Sequence, residues 1–206
     1  MDYAALILAI LFVDLLALVS PGPNFILVSS TAVSASRRAA IWTGTGIATG
    51  SLIWAGGAAL GIVAIFEALP WLGYALKVAG VCYLLYLGVR LLLSKGFQPG
   101  QTDRQQAASA GRGFLRGLLI NLTNPKSAAY YASVFAAFLT PAMPAWVLTV
   151  LVLAIWLMSL AWHWTLAVGF SMDRVRRPYI RASRLIDRLC GGFLILLGLR
   201  LAWENR

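Results

Sequence analysis

Acidic residues are scarce in this chain. Asp and Glu number 7 among 206 residues, against 17 Lys and Arg, for a formal net charge of +10. There is 1 histidine, His163, and there are 2 cysteines, Cys82 and Cys190. A structural zinc site takes about four ligands, and a disulfide framework needs clustered cysteines. Neither cluster exists, so the reading is no cofactor and no metal site, with both cysteines as small buried hydrophobes. A basic start is also missing. Met1 to Leu6 carry Asp2 and no Lys or Arg. A signal peptide wants a basic start and a small-residue cleavage site, so the first apolar run is expected to be a retained helix.

What the chain has in excess is apolar length. Hydrophobic residues make up 60% of it, where soluble domains hold roughly 45–50%. They fall in long runs almost free of charge, and about 18 such residues read as a membrane span. Six runs emerge: about 4–33, interrupted by Ser20-Pro21-Gly22-Pro23-Asn24; about 41–66; about 71–93; about 113–139, interrupted by Asn124-Pro125-Lys126; about 146–170; and a short one at 189–203. Helices are required, because hydrocarbon offers no water to an open backbone. The fold class expected is all-α integral membrane, one transporter-like domain over 1–206, with halves at about 1–95 and 113–206 and a polar linker at 96–112.

The basic residues sit in alternate connections. Arg37 and Arg38 follow run one, Lys95, Arg104 and Arg112 follow run three, and Arg174, Arg176, Arg177, Arg181, Arg184 and Arg188 follow run five. This is topology signalling plus contact with anionic lipid, not nucleic-acid binding. It places these connections in the cytoplasm and both termini outside. Arg200 and Arg206 run against that pattern. Part of the exception comes from a repeat: Tyr83–Leu91 resembles Phe193–Leu201 at a constant offset of 110 residues, pairing Arg90 with Arg200. Two three-helix halves related in this way enter the membrane from opposite sides, the ground plan of many secondary transporters. The proline breaks fall in the first helix of each half.

Breaks at membrane depth free backbone groups, and carriers bind substrates and ions there. Lys126 lies about 13 residues into its run, or about 20 Å. A charge at that depth costs at least about 2.5–3.5 kcal/mol, so an acid or a substrate carboxylate should answer it. Asp14 stands between Phe12-Val13 and Leu15-Leu16. An acid there is expected to be protonated or paired, as in proton relays. Glu67 and His163 are left without an assigned role. The pairs Gly46-xxx-Gly50 and Gly57-xxx-Gly61 predict close helix approach in run two.

These residues also carry a resemblance. Leu18-Val19-Ser20-Pro21-Gly22-Pro23, then Phe25-Ile26-Leu27-Val28, Arg37-Arg38 and the glycine-rich second run are similar to the LysE/RhtB family of amino-acid exporters. So is Gly113-Phe114-Leu115-Arg116-Gly117 leading to Asn121-Leu122-Thr123-Asn124-Pro125-Lys126. Ala32-Val33-Ser34 and Val134-Phe135 resemble the threonine-exporter branch. The resemblance implies six helices, a bacterial inner-membrane location and proton-driven efflux of small amino acids, threonine or homoserine favoured. One departure stands out: the family often has Asp after Pro-Gly-Pro, and here Asn24 follows.

The candidate substrate-binding residues are thus Pro21, Gly22, Pro23, Asn24, Asn121, Asn124, Pro125 and Lys126, with Asp14 for proton coupling. Expected partners are a small amino-acid substrate, protons and membrane lipid, with a homodimer left open. A metal-ion exporter on a related scaffold would want several Asp, Glu, His or Cys ligands within the membrane, and the chain offers few. An intramembrane enzyme would need a nucleophile beside a base.

Overall fold

The computed structural model of the chain describes residues 3–96, 110–140 and 143–204. Within them lie eight α-helices: α1 (Tyr3–Val19), α2 (Pro23–Ser34), α3 (Arg37–Ala68), α4 (Pro70–Leu92), α5 (Ala110–Leu122), α6 (Pro125–Phe138), α7 (Ala145–Phe170) and α8 (Asp173–Glu204). Most of the linker expected at 96–112 lies outside the described residues, as does the side chain of Glu67.

Both expected breaks are present. Run one divides into α1 and α2, bent by 53°. Run four divides into α5 and α6. In each case a proline opens the second piece: Pro23 begins α2 and Pro125 begins α6. That first position suits proline, because its missing N–H would have had no partner inside the helix. Three helices are long and apolar enough to cross a membrane: α3, α4 and α7; a fourth span results if the bent α1–α2 pair counts as one. Large apolar side chains such as Leu8, Leu60, Trp71, Leu157 and Leu196 are exposed, a surface suited to lipid and not to water.

The packing places α3 along α5 and α7, and α4 between α6 and α8, with α1 and α2 against α7. Gly46 of α3 faces the backbone of Phe114, and Gly117 of α5 faces the backbone of Thr43, so no Cβ fits at either. Gly50 seats the side chain of Asn121. The expectation for Gly57-xxx-Gly61 is corrected, since nothing lies within 4 Å of a Cβ at Gly56, Gly57 or Gly61. The motif recorded small residues, but the face of α3 that carries them is open, while Ala55, Ala59 and Ile62 of the same stretch pack into the core. On the other flank Gly88 packs on Ile195, Gly198 on Leu85, and Gly191 on Gly88. The repeated segments therefore lie antiparallel against each other.

The basic connection expected at 173–188 is itself helical, and α8 runs through it without a stop, with Pro178 inside. The basic residues collect at one end of the bundle. There Arg37 Nε donates to Ser171 Oγ at 3.4 Å, joining the start of α3 to the end of α7. At the opposite end the rings of Tyr3 and Trp146 meet edge to face, 5.8 Å apart.

Gly46→Ala should destabilise the protein by about 1–3 kcal/mol, the usual cost of overpacking. Gly57→Ala should leave it within about 1 kcal/mol of the parent, since an exposed helix gains from alanine. Thermal unfolding of the purified protein in one detergent compares the two.

Candidate functional site

The two breaks meet. Asn24, in the first turn of α2, donates through Nδ2 to Ser127 Oγ at 3.4 Å. Asn124, the N-cap of α6, donates through Nδ2 to Asn24 Oδ1, also at 3.4 Å. The Asn124 Oδ1 accepts from the Lys126 amide at 3.0 Å, which closes the cap. Asn24 thus donates and accepts at once, a pair of roles that a carboxylate could not combine. This gives Asn24 a structural reason at the position where the resemblance led one to expect Asp. Gly22 is extended, with φ −146°, so left-handed geometry is not what glycine supplies there. It supplies closeness: a Cβ at Gly22 would stand 3.2 Å from Lys126 Nζ.

Between the breaks and the core lies a cavity of about 60 Å³. Gly22, Pro23, Asn24, Asn121, Asn124 and Lys126 line it, together with Asp14. Six of the eight expected binding residues and the expected coupling acid therefore share one chamber. Pro21 and Pro125 face away from it, into a wider vestibule of about 810 Å³. The vestibule reaches to Leu93 and Ser94 at the basic end, and Gly22, Asn124 and Lys126 form part of the wall between the two spaces.

The polar atoms of the chamber are unevenly satisfied. Asp14 Oδ2, Ser20 Oγ, Asn121 Oδ1 and Tyr130 OH are all buried without a hydrogen-bond partner, and all four residues line the cavity. Buried polar groups are ordinarily paired, so these four atoms stay open to a further hydrogen bond. Asp14 is 1% exposed, with Tyr130 and Tyr131 against its carboxyl. Among the described residues it forms no ion pair, and neither does Lys126, which is half-buried.

Several functional candidates were invisible in the sequence reading. On α6, Ser127, Tyr130 and Tyr131 follow Lys126 at helical spacing and turn the same face inward. Their spacing from the break was the available signal. Deeper in, Asn121 Nδ2 donates to Ser51 Oγ at 3.2 Å, and Ser159 Oγ donates to Ser51 Oγ at 3.3 Å. His163 is buried and lines the chamber. Its Nδ1 lies 2.7 Å from the Ser159 carbonyl, so Nδ1 carries the proton and Nε2 is left as an acceptor. The acid whose charge bears on Lys126 is Asp187. One of its oxygens, Oδ2, accepts from Ser94 Oγ at 2.6 Å, and Oδ1 has no partner. Among the described residues, no group of three or more His, Cys, Asp or Glu could hold a metal ion.

Helices this apolar, paired breaks and a chamber lined by buried polar side chains define a multi-pass membrane protein of the solute-carrying class. Comparison with known proteins is more specific. The LysE type translocator family matches residues 15–205, and the chain belongs to that family. It is 37% identical over 199 residues to a threonine efflux protein of Salmonella typhi, covering 95% of this chain and 97% of the relative. The threonine efflux protein of Escherichia coli K12 is likewise 37% identical, over 202 residues, with the same coverage. A leucine efflux protein of Salmonella choleraesuis is 29% identical over 124 residues, 60% of this chain and 58% of the relative. No solved structure matches the chain. The protein is a transporter and not an enzyme.

Asn124→Ala removes the α6 cap and the bridge to Asn24. It should cost about 0.5–2 kcal/mol, while Asn124→Asp, which keeps the cap acceptor, should cost less. Thermal melts of both variants beside the parent measure the difference.

Proposed function

We propose that this chain exports small amino acids, threonine or homoserine foremost, across the bacterial inner membrane in exchange for protons. The observation that carries the reading is the meeting of the two helix breaks at a chamber holding Lys126 and four unsatisfied polar groups. An amino acid is a zwitterion, so its site needs a partner for each charge. Lys126 and the positive ends of α2 and α6 suit the carboxylate. Asn121 Oδ1, Ser20 Oγ and the Asp14 carboxyl can accept from the ammonium. The family match and the threonine and leucine efflux relatives support the same substrate class.

Six spans as an inverted repeat complete the proposal. Beyond the candidates already described, α5 with α6 makes the fourth run, and the apolar second half of α8 makes the sixth. Gly88 packs on Ile195 and Gly198 packs on Leu85. The 110-residue offset exchanges these two contacts, as a two-fold axis between α4 and α8 would. With the basic end in the cytoplasm, the vestibule opens inward and both termini lie outside. The substrate would load from that vestibule past Gly22 and Lys126. Asp14, on the far wall beside Tyr130 and Tyr131, would take up the proton that moves the other way.

In proteoliposomes with an imposed pH gradient, labelled threonine should move against its own gradient, and a panel of labelled amino acids should rank threonine and homoserine first. Asp14→Asn should abolish the pH-driven movement and spare threonine–threonine exchange, which requires no net proton transfer. Full pH-driven transport in that variant would remove Asp14 from coupling.

A further inference from the structure

Arg90 has no part in the chemistry above. Arg90 lies on the face of α4 that lines the vestibule, with Tyr83, Tyr86 and Ser94 at helical spacing. Lys126 stands at the inner end of the same space, and its charge and that of Arg90 act on each other. No acid lines the vestibule, and neither cation is in an ion pair among the described residues. The result is a wide cleft with two cations in its lining, and the acid that bears on Lys126, Asp187, stands behind Ser94 and not in the lining.

We infer that Arg90 is a second binding station, which captures the substrate carboxylate in the vestibule before Lys126 receives it. A guanidinium holds a carboxylate through two parallel hydrogen bonds. Tyr86 is one turn before Arg90 and 56% exposed, so its ring can face the ammonium of the same zwitterion. Tyr83 lies 6.1 Å away, centroid to centroid, and its hydroxyl donates to the Lys126 carbonyl at 3.3 Å. The station is thereby tied to the wall of the deeper chamber. The inference rests on the reading of the chain as an amino-acid exporter.

The test uses the full chain in liposomes of neutral lipid, with a defined orientation, and labelled threonine presented to one face at a time. Arg90→Gln should raise the half-saturating concentration at the basic face about tenfold, the effect of losing one charged hydrogen bond, and leave the other face unchanged. Arg90→Lys should recover part of the loss. At about 1 M salt, where charges are screened beyond about 3 Å, parent and Arg90→Gln should converge. An unaltered basic face in Arg90→Gln, or equal changes at both faces, overturns the station. Neutral lipid removes anionic headgroups as the source of any effect. A parent that carries no amino acid overturns the exporter reading and this inference with it. A parent that carries threonine while Arg90→Gln is silent overturns the inference alone.

Discussion

A backbone that breaks inside hydrocarbon must find partners within the protein, because lipid offers none. The two breaks here find them in each other and in the helices around them. At the end of α1 the Val19 carbonyl accepts from Tyr179 OH at 3.0 Å. At the end of α5 the Asn121 carbonyl accepts from Trp54 Nε1 at 3.2 Å and from the Asn124 amide at the same distance. Prolines then start α2 and α6 without wasting a donor. Asn24 and Asn124 stitch the two new helix starts together. Around the chamber this solution leaves four buried side-chain atoms short of partners.

That division explains why the site can be both rigid and receptive. The backbone around it is held by close helix approach, α3 against α5 at Gly46 and Gly117, and α4 against α8 at Gly88 and Gly191. Phe25 of α2 is clamped between Phe170 and Tyr179, with ring centroids 5.4 and 5.1 Å away. The unsatisfied atoms belong to Asp14, Ser20, Asn121 and Tyr130, whose side chains can turn toward a guest while the helices stay in place. A polar solute that pairs with them recovers the desolvation cost of each group, about 1–3 kcal/mol for a neutral one.

Much of this was legible in the residues. Proline beside glycine or asparagine inside an apolar run marks a break whatever the surroundings, so both breaks fell where expected. An ionisable side chain in such a run must be answered, which singled out Asp14 and Lys126. Two kinds of feature escaped. Ser51 and Ser159 are ordinary within their own helices and join His163 in a network only when α3, α5 and α7 pack. Asp187 looked like part of a basic connection, because nothing local showed that α8 runs straight through it and brings the carboxylate within reach of Ser94. Gly57-xxx-Gly61 misled for the complementary reason. Small residues permit a close approach, but only a neighbouring helix makes one.

The central claim is that the paired breaks form one site for a zwitterion, with Lys126 on the carboxylate. Binding of threonine and of its decarboxylated amine to the parent and to Lys126→Met tests it most directly. The methionine keeps the bulk of the stem and removes the charge. Threonine should bind more weakly by about 1.5–3 kcal/mol, the scale of a charged hydrogen bond, while the amine, which has no carboxylate, should change far less. A folding defect would lower both alike. Equal threonine affinity in Lys126→Met and parent would contradict the account.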